Sequence, residues 1–372
     1  MNSFLEGLLP WVVALWAFDG VVRAWPGEVL FHATWGRAFR LAGPGFRLAL
    51  PFPASDAFAL SGDAAFVGNE AIAFPAGPLR FDRPLPASFT EEPIDGAERF
   101  HADDRSVARG RRTLFTAGSP EAAALLARRL EELRAAPAAS RAALRARWSD
   151  EAFDLATLGE TLGRYREASA AGRVGGWTLL ALLFAGLPLS LLTPLGRWVP
   201  PAAWLLLGAG AWAYAMRGVG RLMKECGLDR GSRVVALLHF VFLPISASRV
   251  WGVSARHLFV RFDVLTAAAA LLGEEDFAVC ARRELARMAS PPAEGGSRAV
   301  REALGERERR ARYLVKAMLG ATALPPPARK DSAASLFCPL CATEFREGAA
   351  VCADCGRPLE PLGAEEAERP RR

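Results

Sequence analysis

Residues 175–196, GGWTLLALLFAGLPLSLLTPLG, and residues 199–216, VPPAAWLLLGAGAWAYAM, decide the architecture of this chain. Each run is near the roughly 20 residues that a helix needs to cross a bilayer, and neither contains a charged side chain. Together they predict a transmembrane helical hairpin over residues 175–217. Gly208 and Gly210 are expected to let its two helices approach closely, and aromatic side chains near the ends suit the membrane interface. These aromatic residues are Trp177, Trp198 and Tyr214.

Charges beside the hairpin predict its orientation. Three cations precede it and three follow it, whereas its turn carries only Arg197. The flanking cations are Arg164, Arg166 and Arg173, then Arg217, Arg221 and Lys224. Because loops rich in arginine and lysine stay in the cytoplasm, both ends of the hairpin are expected there.

Two further apolar stretches leave the number of spans open. Residues 1–25 predict an N-terminal membrane anchor helix, although its apolar run is short and the crossing by residues 4–22 is undecided. Residues 234–252 are almost long enough to cross but contain His239, Pro244 and Arg249. We interpret this second stretch as an interfacial or packed helix–turn–helix. His239 is expected to be a hydrogen-bonded core residue.

The segment before the hairpin changes from strands to helices. Short apolar runs broken by Gly, Pro and Asp predict a small antiparallel β domain over residues 26–118, whose particular fold stays open. Ser119, Pro120 and Glu121 then form a helix start signal. Amphipathic helices are predicted over residues 119–174, with Leu126, Leu130 and Leu133 on one buried face and Leu155, Leu158, Leu162 and Tyr165 on another.

The segment after the hairpin is predicted to consist of helices and to end in a separate module. With the β domain and the hairpin, it predicts an α+β membrane protein. Interfacial and soluble helices are expected over residues 218–320, and a Pro/Ala linker over 321–336. A compact module follows over 337–361, and a charged tail over 362–372.

Four cysteines form two CxxC pairs in this module. Cys338 and Cys341 make the first pair, and Cys352 and Cys355 make the second. Two such turns direct four thiolates to a tetrahedron, which predicts a structural Zn²⁺ site, with iron as the alternative. The segment is too small for a hydrophobic core, so metal binding is expected to supply much of its folding free energy. Clustered thiolates also imply a reducing compartment, which agrees with a cytoplasmic tail.

The motifs CPxC, Thr343-Glu344-Phe345 and CxxCGxPL resemble the C-terminal zinc ribbons of many bacterial proteins. The resemblance covers about 25 residues, and the loop between the pairs is short for this pattern. The order of anchor, β domain, hairpin, helices and ribbon loosely resembles uncharacterised bacterial integral membrane proteins. It implies an inner-membrane location with the ribbon in the cytoplasm.

The sequence favours a binding protein over an enzyme. It contains no HExxH, GxSxG, P-loop or GxGxxG motif, so no catalytic residue and no organic cofactor is predicted. The net charge of +6 comes almost wholly from arginine, which we interpret as genome composition rather than as a sign of nucleic-acid binding. The expected partners are the lipid bilayer and a protein. The alternatives are rubredoxin-like electron transfer through iron and nucleic-acid binding through the ribbon.

Overall fold

The structure is a computed structural model. It describes residues 14, 17, 26–33, 37–44, 65–75, 88–117, 119–186, 201–228, 230–242, 254, 257–289, 297–320, 324, 329, 331–339, 343–354 and 356–362. Most of the predicted anchor, much of the linker and the charged tail lie outside these residues, as does the hairpin turn. The chain divides into two compact units. Unit 1 comprises residues 1–31, 38–57 and 156–260, and unit 2 comprises residues 32–37, 58–155 and 261–372.

Antiparallel strands occupy the predicted β region. Strands β1 (Pro26–Ala33) and β2 (Arg37–Pro44) form one sheet. A second sheet has the order β3 (Phe66–Val67), β4 (Ala71–Pro75), β5 (Phe89–Pro93). A third has the order β6 (Phe100–Asp103), β7 (Ser106–Arg109), β8 (Arg112–Thr116). Together with the helices, these sheets confirm the α+β class.

Aromatic side chains join the second and third sheets into the core of unit 2. The rings of Phe74 in the second sheet and Phe115 in the third lie 5.5 Å apart. Within the second sheet, the rings of Phe66 and Phe89 lie 5.4 Å apart. Such pairs stabilise a core beyond the area they bury. The tight turn between β6 and β7 uses Asp104 at a φ of 47°, a conformation that Asp tolerates better than most residues.

The helix after the sheets begins where the sequence predicts. Helix α1 (Pro120–Ala135) is capped by Ser119, whose hydroxyl accepts a hydrogen bond from the Ala122 amide at 3.1 Å. Leu126, Leu130 and Leu133 are buried, as the helical spacing predicts. Helix α2 (Ala138–Ala152) follows, and the sequence analysis missed it. Its small and charged residues give a weak apolar periodicity.

The described residues in the rest of unit 2 form three helices and a small sheet. The helices are α6 (Val264–Leu271), α7 (Glu274–Met288) and α8 (Arg298–Leu319). Helix α8 packs against the β3–β4 turn, where a Cβ on Gly68 would lie only 2.8 Å from the Ala299 Cα. The sheet has the order β10 (Glu344–Phe345), β9 (Leu336–Phe337), β11 (Glu360–Pro361).

Unit 1 contains the helices of the predicted hairpin. Helix α3 (Leu155–Ala181) continues into a π-helical turn (Leu182–Gly186). Helix α4 (Pro201–Glu225) follows the undescribed turn, and α5 (Arg230–Phe242) comes next. The predicted boundary between residues 174 and 175 falls inside α3. The amphipathic segment and the first apolar segment form one continuous helix, since no Pro or cap residue separates them.

Candidate metal centre and apolar surface

The tail module begins with a closed hairpin around the first cysteine pair. Phe337 pairs with Glu344 across antiparallel strands β9 and β10. The amide of Cys338 donates a hydrogen bond to the carbonyl oxygen of Thr343 at 2.9 Å. This bond joins the two sides of the hairpin, and Cys341 lies between them in sequence.

The second cysteine pair repeats this hydrogen-bond pattern. Val351 bridges Pro358 in antiparallel fashion, and the Cys352 amide donates to the Arg357 carbonyl oxygen at 2.7 Å. In both hairpins the residue before the first cysteine pairs with the residue six positions after that cysteine. In both, the cysteine amide bonds to the carbonyl five positions ahead. Matching geometry at both CxxC pairs is the arrangement expected of two zinc knuckles.

A glycine permits the tight turn of the second hairpin. Gly356 has a φ of 65°, and its amide donates to the Cys352 carbonyl oxygen at 2.8 Å. Residues with a Cβ seldom adopt this left-handed conformation, whereas glycine adopts it readily. The glycine that follows the second CxxC pair therefore permits this turn.

The first cysteines of the two hairpins converge. Cys338 and Cys352 belong to one buried cluster, and their residues are 0% and 1% exposed. Partly buried Ala286, Phe345 and Leu359 pack around them. Burial of two cysteines in one small module excludes water from the place where the sequence predicts the metal. Low dielectric strengthens the attraction between thiolates and a cation.

The donor set fits zinc, and its completeness stays a prediction. Within the described parts of the chain, no three His, Cys, Asp or Glu side chains are grouped to hold a metal. Cys338 and Cys352 lie within these parts of the chain, whereas Cys341 and Cys355 lie outside the described residues. Four thiolates on two equivalent hairpins would form a closed tetrahedral set, which is the usual chemistry of a structural zinc site.

The module packs against helix α7. The guanidinium carbon of Arg282 lies 5.3 Å from the Phe337 ring centroid, and Ala286, one turn further along α7, contacts the cysteine cluster. Burial lowers the pKa of Arg282, and the nearby Glu360 carboxylate opposes this change. Phe337 itself forms a core of three residues with Ala334 and Leu362. Sequence reasoning missed the role of α7, because its four-residue spacing indicates a shared face but not what that face contacts.

A second candidate site is an apolar surface on unit 1. Large hydrophobic side chains on α3, the π-helical turn, α4 and α5 are exposed, by as much as 74% at Leu206. They are Val174, Trp177, Phe184, Leu206, Leu207, Tyr214, Val234, Val235 and Leu238. Monomeric soluble proteins rarely expose so many large apolar residues on neighbouring helices. Among the described helices, one, Leu155–Gly186, is long and apolar enough to cross a membrane, and 35% of its apolar window is buried.

Small residues form the contact between α3 and α4. A Cβ on Gly218 would lie 3.0 Å from the Ala171 Cβ, and a Cβ on Gly175 would lie 3.2 Å from the Ala215 Cβ. The predicted role of Gly210 is wrong, because a Cβ there would have no neighbour within 4 Å. Gly208 is buried, with Leu182 at 3.9 Å from such a Cβ. Close helix contacts through glycine and alanine are typical of helices packed in lipid.

The predicted environment of His239 is also wrong. This histidine is exposed on α5 rather than buried in a core, and His101 is exposed on β6. The neighbouring Leu238 is also exposed, whereas Leu237 is half-buried beside Gly220 of α4, so His239 lies on the outer side of α5.

Comparison with known proteins adds no identity. No family model, no curated protein and no solved structure matches the chain.

Proposed function

We propose that the chain is a membrane-anchored protein whose cytoplasmic part carries a structural zinc ribbon and binds another protein without catalysing a reaction. The observation that carries this proposal is the pair of matching cysteine hairpins, which bury Cys338 and Cys352 together against α7. A tetrahedron of four thiolates leaves zinc no open position for a substrate. The metal would therefore shape a surface rather than perform chemistry.

The anchor is supported by the exposed apolar surface of unit 1 and by the small residues at the contact between its helices. Glycine and alanine form their contact, and large apolar side chains face outward. In water such a surface would cost roughly 25 cal/mol for each Å² exposed, whereas acyl chains cover it without that cost. The cations at both ends of the hairpin and the clustered cysteines support a cytoplasmic location of the ribbon on independent grounds.

Zinc is expected to complete the fold of the tail. The apolar core of the module is the trio Ala334, Phe337 and Leu362, which is far too small to hold a domain together. Metal binding and contact with α7 therefore supply the missing free energy. A ribbon folded by metal and held on α7 would present a fixed surface to a protein partner.

Metal analysis of the full chain tests this proposal. The protein is purified in detergent without added metal or chelator, and about one zinc per chain is expected. Cys338→Ser should remove it, while Cys226→Ser, a cysteine outside the tail, should retain it. A wild-type protein without metal would contradict the proposal. Equimolar iron with visible colour would favour the electron-transfer alternative.

Two further measurements test the anchor and the partner. The wild-type chain should remain in the membrane pellet after alkaline carbonate extraction, because its apolar helices cross the bilayer. Release into the supernatant would disprove the anchor. Proteins cross-linked to the wild type in cells should be lost from Cys338→Ser and kept by Cys226→Ser. An unchanged set of cross-linked proteins would mean that the ribbon is not the binding surface.

A further inference from the structure

One face of helix α4 changes from apolar to cationic along its length. Leu206, Leu207 and Tyr214 are exposed on this face, and the last turns of the helix expose three cations. The cations are Arg217, Arg221 and Lys224. Because an α-helix turns about 100° per residue, the six side chains share an arc of about 100°. We call the three cations the basic stripe.

The opposite side of α4 is already occupied. Ala215 and Gly218 contact α3 through Gly175 and Ala171, and Val219, Leu222 and Met223 are buried. The apolar and cationic face is therefore the outer face of the hairpin. A helix with this sequence of residues passes from the acyl chains through an aromatic level to the headgroups.

The basic stripe has no protein counterion among the residues that the structure describes. Glu225, which follows the stripe, pairs with Arg164 of α3 at 3.5 Å. No ion pair of Arg217, Arg221 or Lys224 occurs in the described parts of the chain. Three neighbouring exposed cations repel one another, and an anionic ligand would relieve the repulsion.

Helix α5 extends the same surface. It begins with exposed Arg230, and Val234, Val235 and Leu238 are exposed further along it. An amphipathic helix with cations at one end and an apolar face suits the headgroup boundary of a membrane. Both helices thus present cations beside exposed apolar residues.

We infer that the basic stripe binds the phosphate headgroups of anionic lipids in the cytoplasmic leaflet, with α5 lying along the same boundary. This inference rests on the proposed membrane anchor and adds a lipid class to it. Charge complementarity selects anionic over zwitterionic headgroups, because the zwitterion carries its own cation. Continuity of the stripe with the apolar face places the ligand within the bilayer and not in solution.

Binding of a fluorescent phosphatidylglycerol to the full chain in detergent tests the inference. Each cation near an anionic surface contributes about fivefold to affinity, so neutralising the stripe should weaken binding on the order of a hundredfold. The test variant replaces all three cations by glutamine: Arg217→Gln, Arg221→Gln and Lys224→Gln. A control variant removes the same charge from exposed positions of α8: Arg309→Gln, Arg312→Gln and Lys316→Gln.

The expected result is tight binding by the wild type and the control, weak binding by the test variant, and weaker wild-type binding at high salt. Equal affinity of the wild type for phosphatidylcholine would overturn the inference. Equal losses in the two variants would also overturn it, since they would show an effect of net charge alone. Carbonate extraction of the wild type reports separately on the anchor, so failure of the lipid site and failure of the proposed function are distinguishable.

Discussion

Replacement of Arg141 by methionine should destabilise unit 2 far more than an ordinary surface substitution would. The Arg141 side chain is 4% exposed and extends from α2 towards the β domain. Its guanidinium donates to the Leu133 and Ala136 carbonyl oxygens at 3.0 and 3.3 Å, and to the Asn69 carbonyl oxygen at 3.3 Å. It also pairs with the Asp95 carboxylate. One side chain thus donates hydrogen bonds to the carbonyl groups at the end of α1 and also binds the two loops that contain Asn69 and Asp95.

The expected loss of stability follows from the hydrogen bonds that the substitution removes. The carbonyl oxygen of Leu133 would keep the hydrogen bond from the Ala136 amide at 3.2 Å, but the bonds from Arg141 to the Leu133, Ala136 and Asn69 carbonyl oxygens would be lost. A hydrogen bond from a charged donor contributes about 1.5–3 kcal/mol. Asp95 is 70% exposed, so its carboxylate would be hydrated and add little. We therefore expect the free energy of unfolding to fall by about 3 kcal/mol. This value lies at the low end of the range for breaking a fully buried ion pair, which is about 3–5 kcal/mol. Methionine keeps the length of the side chain, which limits the loss of packing.

Hydrogen exchange measured by mass spectrometry suits a protein kept in detergent. Amides of the β4–β5 hairpin, such as Ile94, which donates to the Glu70 carbonyl oxygen at 2.8 Å, should exchange about a hundredfold faster in Arg141→Met. The control is Arg147→Met on the same helix. Arg147 is 54% exposed and pairs with Glu132 and Glu151, so its loss should cost less than about 1 kcal/mol. Equal effects of the two substitutions would refute the reasoning, because burial of Arg141 would then have no energetic consequence.

Two other predictions concern the hairpin and the response to acid. Gly218→Leu should lower the thermal unfolding midpoint in detergent, because its Cβ would lie 3.0 Å from the Ala171 Cβ, and overpacking costs about 1–3 kcal/mol. Gly210→Leu, where a Cβ has open space, should leave the midpoint unchanged, and equal midpoints would contradict the assigned contact. The hydrogen bond from Arg141 lowers the pKa of Asp95 below 3.8, so its contribution to stability is present above about pH 4 and is lost as the pH falls through the folded-state pKa. The stability difference between wild type and Asp95→Asn, measured by urea unfolding, should shrink below pH 4, and a difference that is constant with pH would disprove the coupling.

Local features of the fold could be predicted because a few neighbouring residues cause them. Ser119 caps α1 since its hydroxyl reaches the Ala122 amide, and that signal lies within four residues. Leu130 and Leu158 are fully buried because helical spacing gathers apolar residues on one face. The CxxC spacing similarly predicted two equivalent turns, and both hairpins show the same hydrogen bond from the first cysteine. The continuous α3 and the extra α2 were missed, because apolar periodicity locates a helix more reliably than its ends.

Contacts between distant segments were decided by the tertiary structure alone. Arg141 is one of many arginines in the chain, and only the fold brings Asn69 and Asp95 to it. The α3–α4 contact uses Gly218 rather than Gly210, since the rotation of one helix against another depends on the packing of whole faces. The sequence by itself determined the α+β class, the start of α1 and the cysteine turns. The structure determined that Cys338 and Cys352 are buried together against α7, because burial depends on residues that are far apart in the chain and adjacent only after folding.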